Sequence, residues 1–91
     1  SQEGKELAEV LQKSLVAELD KENHRTAKAN ESYYLLKKTK TPTVIVECGF
    51  LSNRQEAELL SDAEYQQKVA VAISKGIENY LNEEAKSAKK P

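Results

Sequence analysis

Thr41-Pro-Thr-Val-Ile-Val-Glu-Cys-Gly-Phe-Leu-Ser-Asn53 drives an apolar strand into a carboxylate and then into a glycine turn. Val44, Ile45 and Val46 form a β-branched run without polar alternation, as expected of a strand covered on both faces inside an α/β or mixed sheet. In open α/β sheets, ligand and catalytic groups collect just beyond the carboxyl ends of such strands. Glu47 occupies that place. A carboxylate there loses solvation, which favours its neutral form and makes it a better proton acceptor and donor near neutral pH. Spacing alone leaves a second reading open, in which Glu47 is a structural ion-pair residue set against Arg25, Arg54 or a nearby lysine. Gly49 lets the backbone turn sharply or come close to a ligand.

Outward from this stretch the chain reads as five elements. Leu7, Leu11, Leu15 and Leu19 recur every four residues, with Ala8 and Val16 beside them, and predict an amphipathic helix over residues 3–20. Residues 21–32 carry two Lys, two Glu, two Asn, one His and one Arg, and read as an exposed connection. Tyr33-Tyr-Leu-Leu36 suits a short strand, and Lys37-Lys-Thr-Lys40 a solvated loop leading to Pro42, which favours an extended entry into the next strand. Asn53 followed three residues later by Glu56 is a capping box opening a short helix to Leu60. After a second cap at Ser61-Asp62, Tyr65, Val69, Ala72, Ile73, Gly76, Ile77, Tyr80 and Leu81 share one helical face. From Glu83 nothing is large enough to anchor the chain, so residues 83–91 are expected to be a flexible tail or linker after a domain ending near residue 82.

The order is therefore helix, strand, strand, helix, helix, and it poses a problem. Two strands leave edges exposed, and a strand apolar on both faces asks for neighbours the chain hardly supplies. Either the 91 residues are the C-terminal portion of a larger single mixed-sheet α/β domain with flanking helices, or another copy or another chain completes the sheet.

Composition narrows the function. With 14 Lys+Arg against 15 Asp+Glu the net charge is -1, which argues against a grip on nucleic acid. No apolar stretch approaches the roughly 20 residues that span a bilayer, and no signal peptide is visible at Ser1-Gln-Glu-Gly-Lys5. Cys48 is the single cysteine, which excludes an internal disulfide and a cysteine-rich zinc site. Strand alternation points it opposite to Glu47, into the core. His24, the single histidine, lies in a polar connection and reads as a surface residue, and a catalytic zinc needs three protein ligands that this chain does not offer.

Residues 41–53 closely resemble the late signature of the zinc-dependent N-acetylmuramoyl-L-alanine amidases of the amidase 3 type, the bacterial peptidoglycan amidases. The likeness runs from residue 1 to about residue 82. It takes in the opening Leu-Ala helix, Asn23-His-Arg-Thr-Ala-Lys28, the Tyr-Leu-Leu segment and Ala70-Val-Ala-Ile-Ser-Lys-Gly-Ile77. The resemblance implies a single α/β domain with a central mixed sheet, located outside the cell or at the wall, acting on peptidoglycan. It implies one Zn2+ held by His, Glu and His residues of the first two-thirds of the domain, none of them identifiable here, so the ligands are expected upstream of residue 1. The family's later glutamate matches Glu47, which by resemblance assists a zinc-bound water in attacking the amide between the muramic acid lactyl group and L-alanine. Arg25 orients substrate or holds its loop, and the resemblance does not choose between these. The Ala-Lys and Tyr-Tyr-Leu-Leu text looks most like members from spore-forming Gram-positive bacteria. The chain is expected to be inactive alone. The competing reading is a dimerising interaction module without catalysis, in which Glu47 is an ion-pair residue.

Overall fold

A computed structural model describes residues 1–19, 28–30, 38 and 40–89. Its elements are α1 (Gln2–Leu19), β1 (Lys28–Asn30), β2 (Ile45–Glu47), α2 (Arg54–Leu60) and α3 (Ala63–Lys89). The expectation of a mixed-sheet α/β domain is overturned. The three helices take 18, 7 and 27 residues while each strand has three, and the strands form a two-stranded antiparallel ribbon. The described structure is therefore mainly helical. The strand expected at residues 33–36 lies outside the described residues, as do His24 and Arg25. β2 is not covered on both faces either, since Ile45 is 43% exposed. The physical reason is that α1 and α3 have complementary apolar stripes and bury them against each other, which leaves the ribbon at the side of a helical core.

Helix α1 starts at Ser1, whose hydroxyl accepts from the Gly4 N–H at 3.0 Å and whose carbonyl accepts from Lys5 at 3.0 Å. Its stripe buries Gly4, Ala8, Leu11 and Leu15, with Leu15 only 1% exposed. Val16 lies off the stripe, 48% exposed. The two long helices run antiparallel, with Leu11 against Gly76, Ser14 Oγ donating to the Ala72 carbonyl, and Lys75 paired with Glu18 at 2.7 Å. Farther along the seam, burial and the carboxylates of Glu84, Glu6 and Glu3 push the Tyr80 phenol above its ordinary range.

Gly76 makes the close crossing possible. A Cβ there would lie 2.6 Å from Leu11 Cδ2 and 3.3 Å from Leu11 Cα. The first contact could be relieved by a rotamer change, but the second is to backbone. The centre of the core is Leu15, Tyr65, Val69 and Ala72, against which Leu19, Ala29, Val46, Cys48, Leu59, Leu60 and Ile73 pack. The ribbon is tied to α1 by the Ala29 N–H, which donates to Gln12 Oε1 at 2.9 Å.

At its far end α3 departs from the expected tail, because the helix continues to Lys89 while every residue from 81 to 88 is exposed. Ala, Glu and Lys dominate that segment and favour helix intrinsically, so a helix nucleated over the buried Tyr80 turn propagates without further packing. The molecule measures 50 × 27 × 17 Å with a radius of gyration of 14.3 Å, against about 12 Å for a compact domain of this length. The long axis reflects this exposed extension.

Two outcomes follow for stability. Gly76→Leu introduces a better helix former but drives a side chain into Leu11, and is expected to cost about 1–3 kcal/mol, read as a fall in Tm of about 4–8 °C per kcal/mol. Tyr65→Phe keeps the core volume but removes the hydroxyl that reaches the Cys48 carbonyl, and is expected to cost about 1 kcal/mol by denaturant unfolding with an unchanged m value.

Candidate functional site

Pro42 has no N–H and restricts the residue before it, so the chain enters β2 extended, with the Thr43 hydroxyl donating to the Thr41 carbonyl at 3.1 Å. In the antiparallel register Asn30 faces Ile45, Ala29 faces Val46 and Lys28 faces Glu47. Val46 and Cys48 both pack on the helical core, whereas Ile45 is 43% exposed. Alternation along the strand therefore places Glu47 with Ile45 on the face turned away from the helices. Glu47 is half-buried, since the ribbon has no second layer over that face among the described residues.

Cys48 behaves as expected of a small core residue. It is partly buried, its Sγ lies 3.9 Å from the Val46 carbonyl, and burial pushes its thiol up from the ordinary range. A raised thiol holds less thiolate and makes a poor nucleophile. Beside it a cavity of 280 Å3 is lined by Leu60, Tyr65, Val69 and Ile73 among others, and it is Cys48, not Glu47, that reaches into it.

Immediately after Glu47 the chain is held from both helices that follow. The Tyr65 hydroxyl donates to the Cys48 carbonyl at 2.8 Å. Gly49 has a φ of 148°, a conformation that side-chain-bearing residues rarely adopt, and a Cβ there would meet Glu56 Cβ and Oε1 at 3.4 Å and Leu60 Cδ1 at 3.6 Å. Phe50 opens a turn closed by the Asn53 N–H on the Phe50 carbonyl at 3.1 Å. At its tip Phe50 and Leu51 are 58% and 80% exposed.

The capping box forms only in part. Asn53 is the N-cap of α2 and its Oδ1 accepts from the Glu56 N–H at 3.0 Å, as expected. The Glu56 carboxylate does not return to the Asn53 N–H; it reaches three residues farther back and accepts from the Phe50 N–H at 2.9 Å. The turn has already taken the Asn53 N–H, and the carboxylate serves the Phe50 N–H instead. The second cap is at Asp62, whose Oδ1 accepts from the Glu64 N–H at 2.8 Å and whose carbonyl accepts from Gln66 at 3.0 Å.

Of the residues singled out in the sequence, the structure brings Glu47, Cys48 and Gly49 to one strand end and sets Asn53 and Glu56 under the loop that follows. Arg54, one of the expected ion-pair partners of Glu47, lies 3.8 Å from Glu58 on the exposed side of α2. Sequence reasoning missed the Tyr65 hydroxyl bond, for which residues 17 apart give no local signal. It also missed the reach of Glu56 to Phe50, although the Asn53–Glu56 spacing had marked both residues. Among the described residues no group of three or more His, Cys, Asp or Glu side chains could hold a metal ion. The described residues thus do not by themselves fit the Zn2+ that the resemblance implies.

The amidase 3 family, described as N-acetylmuramoyl-L-alanine amidase, matches residues 1–79. Similar curated proteins include the germination-specific N-acetylmuramoyl-L-alanine amidase of Bacillus subtilis, 40% identical over 81 residues, covering 89% of this chain and 34% of that protein. The N-acetylmuramoyl-L-alanine amidase LytC of the same organism is 37% identical over 76 residues, covering 84% of this chain and 15% of LytC. The N-acetylmuramoyl-L-alanine amidase AmiA of Escherichia coli is 36% identical over 63 residues, covering 65% of this chain and 22% of AmiA. The chain spans about a third, or less, of the length of these relatives. No solved structure matches it significantly. The strand, glycine turn and capped helix described above all fall inside the matched residues, and the chain belongs to the amidase 3 family of N-acetylmuramoyl-L-alanine amidases.

Proposed function

We propose that this chain contributes the proton-transfer part of a peptidoglycan amidase, which hydrolyses the amide between N-acetylmuramic acid and L-alanine with Glu47 as general acid and base. The observation that carries this reading is the placement of Glu47, half-buried at the last residue of β2 and on the ribbon face away from the helical core. There a carboxylate can meet both water and a substrate while its backbone is fixed by strand pairing. In the reaction, Glu47 removes a proton from the attacking water as its oxygen bonds to the lactyl carbonyl carbon. The same proton is then delivered to the nitrogen of L-alanine as the C–N bond breaks, leaving a lactyl carboxylic acid and a free amine, and the acid's proton passes to the amine to give carboxylate and ammonium.

Zn2+ bound at such a centre lowers the pKa of water and polarises a carbonyl. Its ligands would come from outside the described residues, consistent with a chain that spans 34% of its germination-specific relative. In this reading residues 1–82 are the C-terminal half of the catalytic domain, residues 83–91 lie beyond it, and the 91 residues alone are inactive. Bacterial relatives named as amidases support a place of action at the cell wall, and the germination-specific relative supports a role in a spore-forming bacterium. No described helix is long and apolar enough to cross a membrane.

The test is hydrolysis of purified peptidoglycan by the full-length protein, wild type beside Glu47→Gln, scored as new L-alanine amino termini with zinc content measured for both. Glu47→Gln is expected to lose about 100-fold or more in kcat, the scale of general acid–base catalysis, with zinc content unchanged. Activity equal to wild type would instead make Glu47 a structural residue, as in the dimerising-module reading. In the same assay the isolated 91-residue chain is expected to release no L-alanine amino termini.

A further inference from the structure

We propose that Glu56 is a positioning residue for the amidase reaction, holding the Gly49–Leu51 loop in place beside Glu47 through its side-chain oxygen and not through its charge. The inference rests on the catalytic reading of Glu47 given above. Between Glu47 and α2 the chain has one torsionally loose residue, Gly49, at a φ of 148°. On its near side the backbone is held by Tyr65 through the Cys48 carbonyl at 2.8 Å. On its far side it is held by Glu56 through the Phe50 N–H at 2.9 Å. The Glu56 side chain also occupies the space over Gly49, with Cβ and Oε1 both 3.4 Å from where a Gly49 Cβ would stand.

Glu56 is itself well fixed. Its N–H is capped by Asn53 Oδ1 at 3.0 Å, and α2 behind it packs on the core through Leu59 and Leu60. Removing the clasp frees Gly49 to rotate and lets Phe50 and Leu51, 58% and 80% exposed, swing in the loop that follows Glu47. A loop displaced by about 1 Å at a reaction centre is enough to cost on the order of 100-fold in rate.

An alternative exists for any glutamate in a first helical turn, namely favourable interaction with the helix dipole, which acts through the charge and on stability alone. Two variants separate the two readings, because one keeps the acceptor without the charge and the other keeps the charge without the reach. Glu56→Gln retains a carbonyl oxygen at the same distance along the side chain. Glu56→Asp retains the carboxylate but shortens the side chain by about 1.5 Å, one carbon–carbon bond.

The experiment is peptidoglycan hydrolysis by the full-length protein carrying each variant, with Tm recorded, beside Glu47→Gln and the surface control Glu58→Gln. The expected result is kcat/KM within about threefold of wild type for Glu56→Gln and Glu58→Gln, and at least about tenfold lower for Glu56→Asp, the order being independent of Tm. Glu56→Asp at wild-type activity, or Glu56→Gln falling as far as Glu56→Asp, would overturn the positioning role. The failure of each reading is visible separately. A fully active Glu47→Gln sinks the catalytic assignment, whereas an inactive Glu47→Gln beside an active Glu56→Asp sinks only the clasp.

Discussion

The close antiparallel crossing of α1 and α3 is the constraint on which the rest of this structure depends. With no side chain at Gly76, the Leu11 backbone comes within contact distance, and the two stripes interlock along Leu15, Val69 and Ala72. Leu15, at 1% exposure, is worth about 1.5–3 kcal/mol in burial. The exposed Lys75–Glu18 pair beside it contributes at most about 1 kcal/mol. Apolar fit between the helices, and not the ion pair, therefore sets their relation.

From the helices hydrogen bonds reach the ribbon and its loop. Gln12 of α1 takes the Ala29 N–H of β1, and Tyr65 of α3 gives its hydroxyl to the carbonyl just after Glu47. Val46 and Cys48 complete the attachment by packing inward. The strand's outward residues, Ile45 and Glu47, are left facing away from the helices as a direct result. A ribbon of two three-residue strands would have little stability alone, so the position of the candidate catalytic carboxylate is inherited from a helix–helix interface.

The short helix α2 adds the final restraint. It is too short to be stable as an isolated helix, yet it is capped by Asn53, closed at its end by Ser61, and held to the core by Leu59 and Leu60. Its first turn carries Glu56, which ties the Phe50 backbone back over Gly49. The apolar tip formed by Phe50 and Leu51 is thus presented on a fixed turn directly after Glu47.

Much of this was legible residue by residue. The four-residue spacing of Leu7, Leu11, Leu15 and Leu19, and the stripe from Tyr65 to Tyr80, define helices because a 3.6-residue period puts those side chains on one face whatever lies opposite. Asn53 and Asp62 cap the helices they precede because capping is decided within three or four residues. Cys48 opposite Glu47 follows from strand alternation, and the run ending in Asn53 was enough to mark the family. The sequence by itself determined these local periodicities, caps and signature residues, since each depends on near neighbours along the chain. Only the tertiary structure decided that β2 lies against helices with one face uncovered among the described residues, that Tyr65 holds the Cys48 carbonyl, and that Glu56 reaches Phe50 in place of Asn53. Those outcomes depend on which surfaces meet and which donors are already taken. A β-branched run such as Val44–Val46 carries no record of what will cover it.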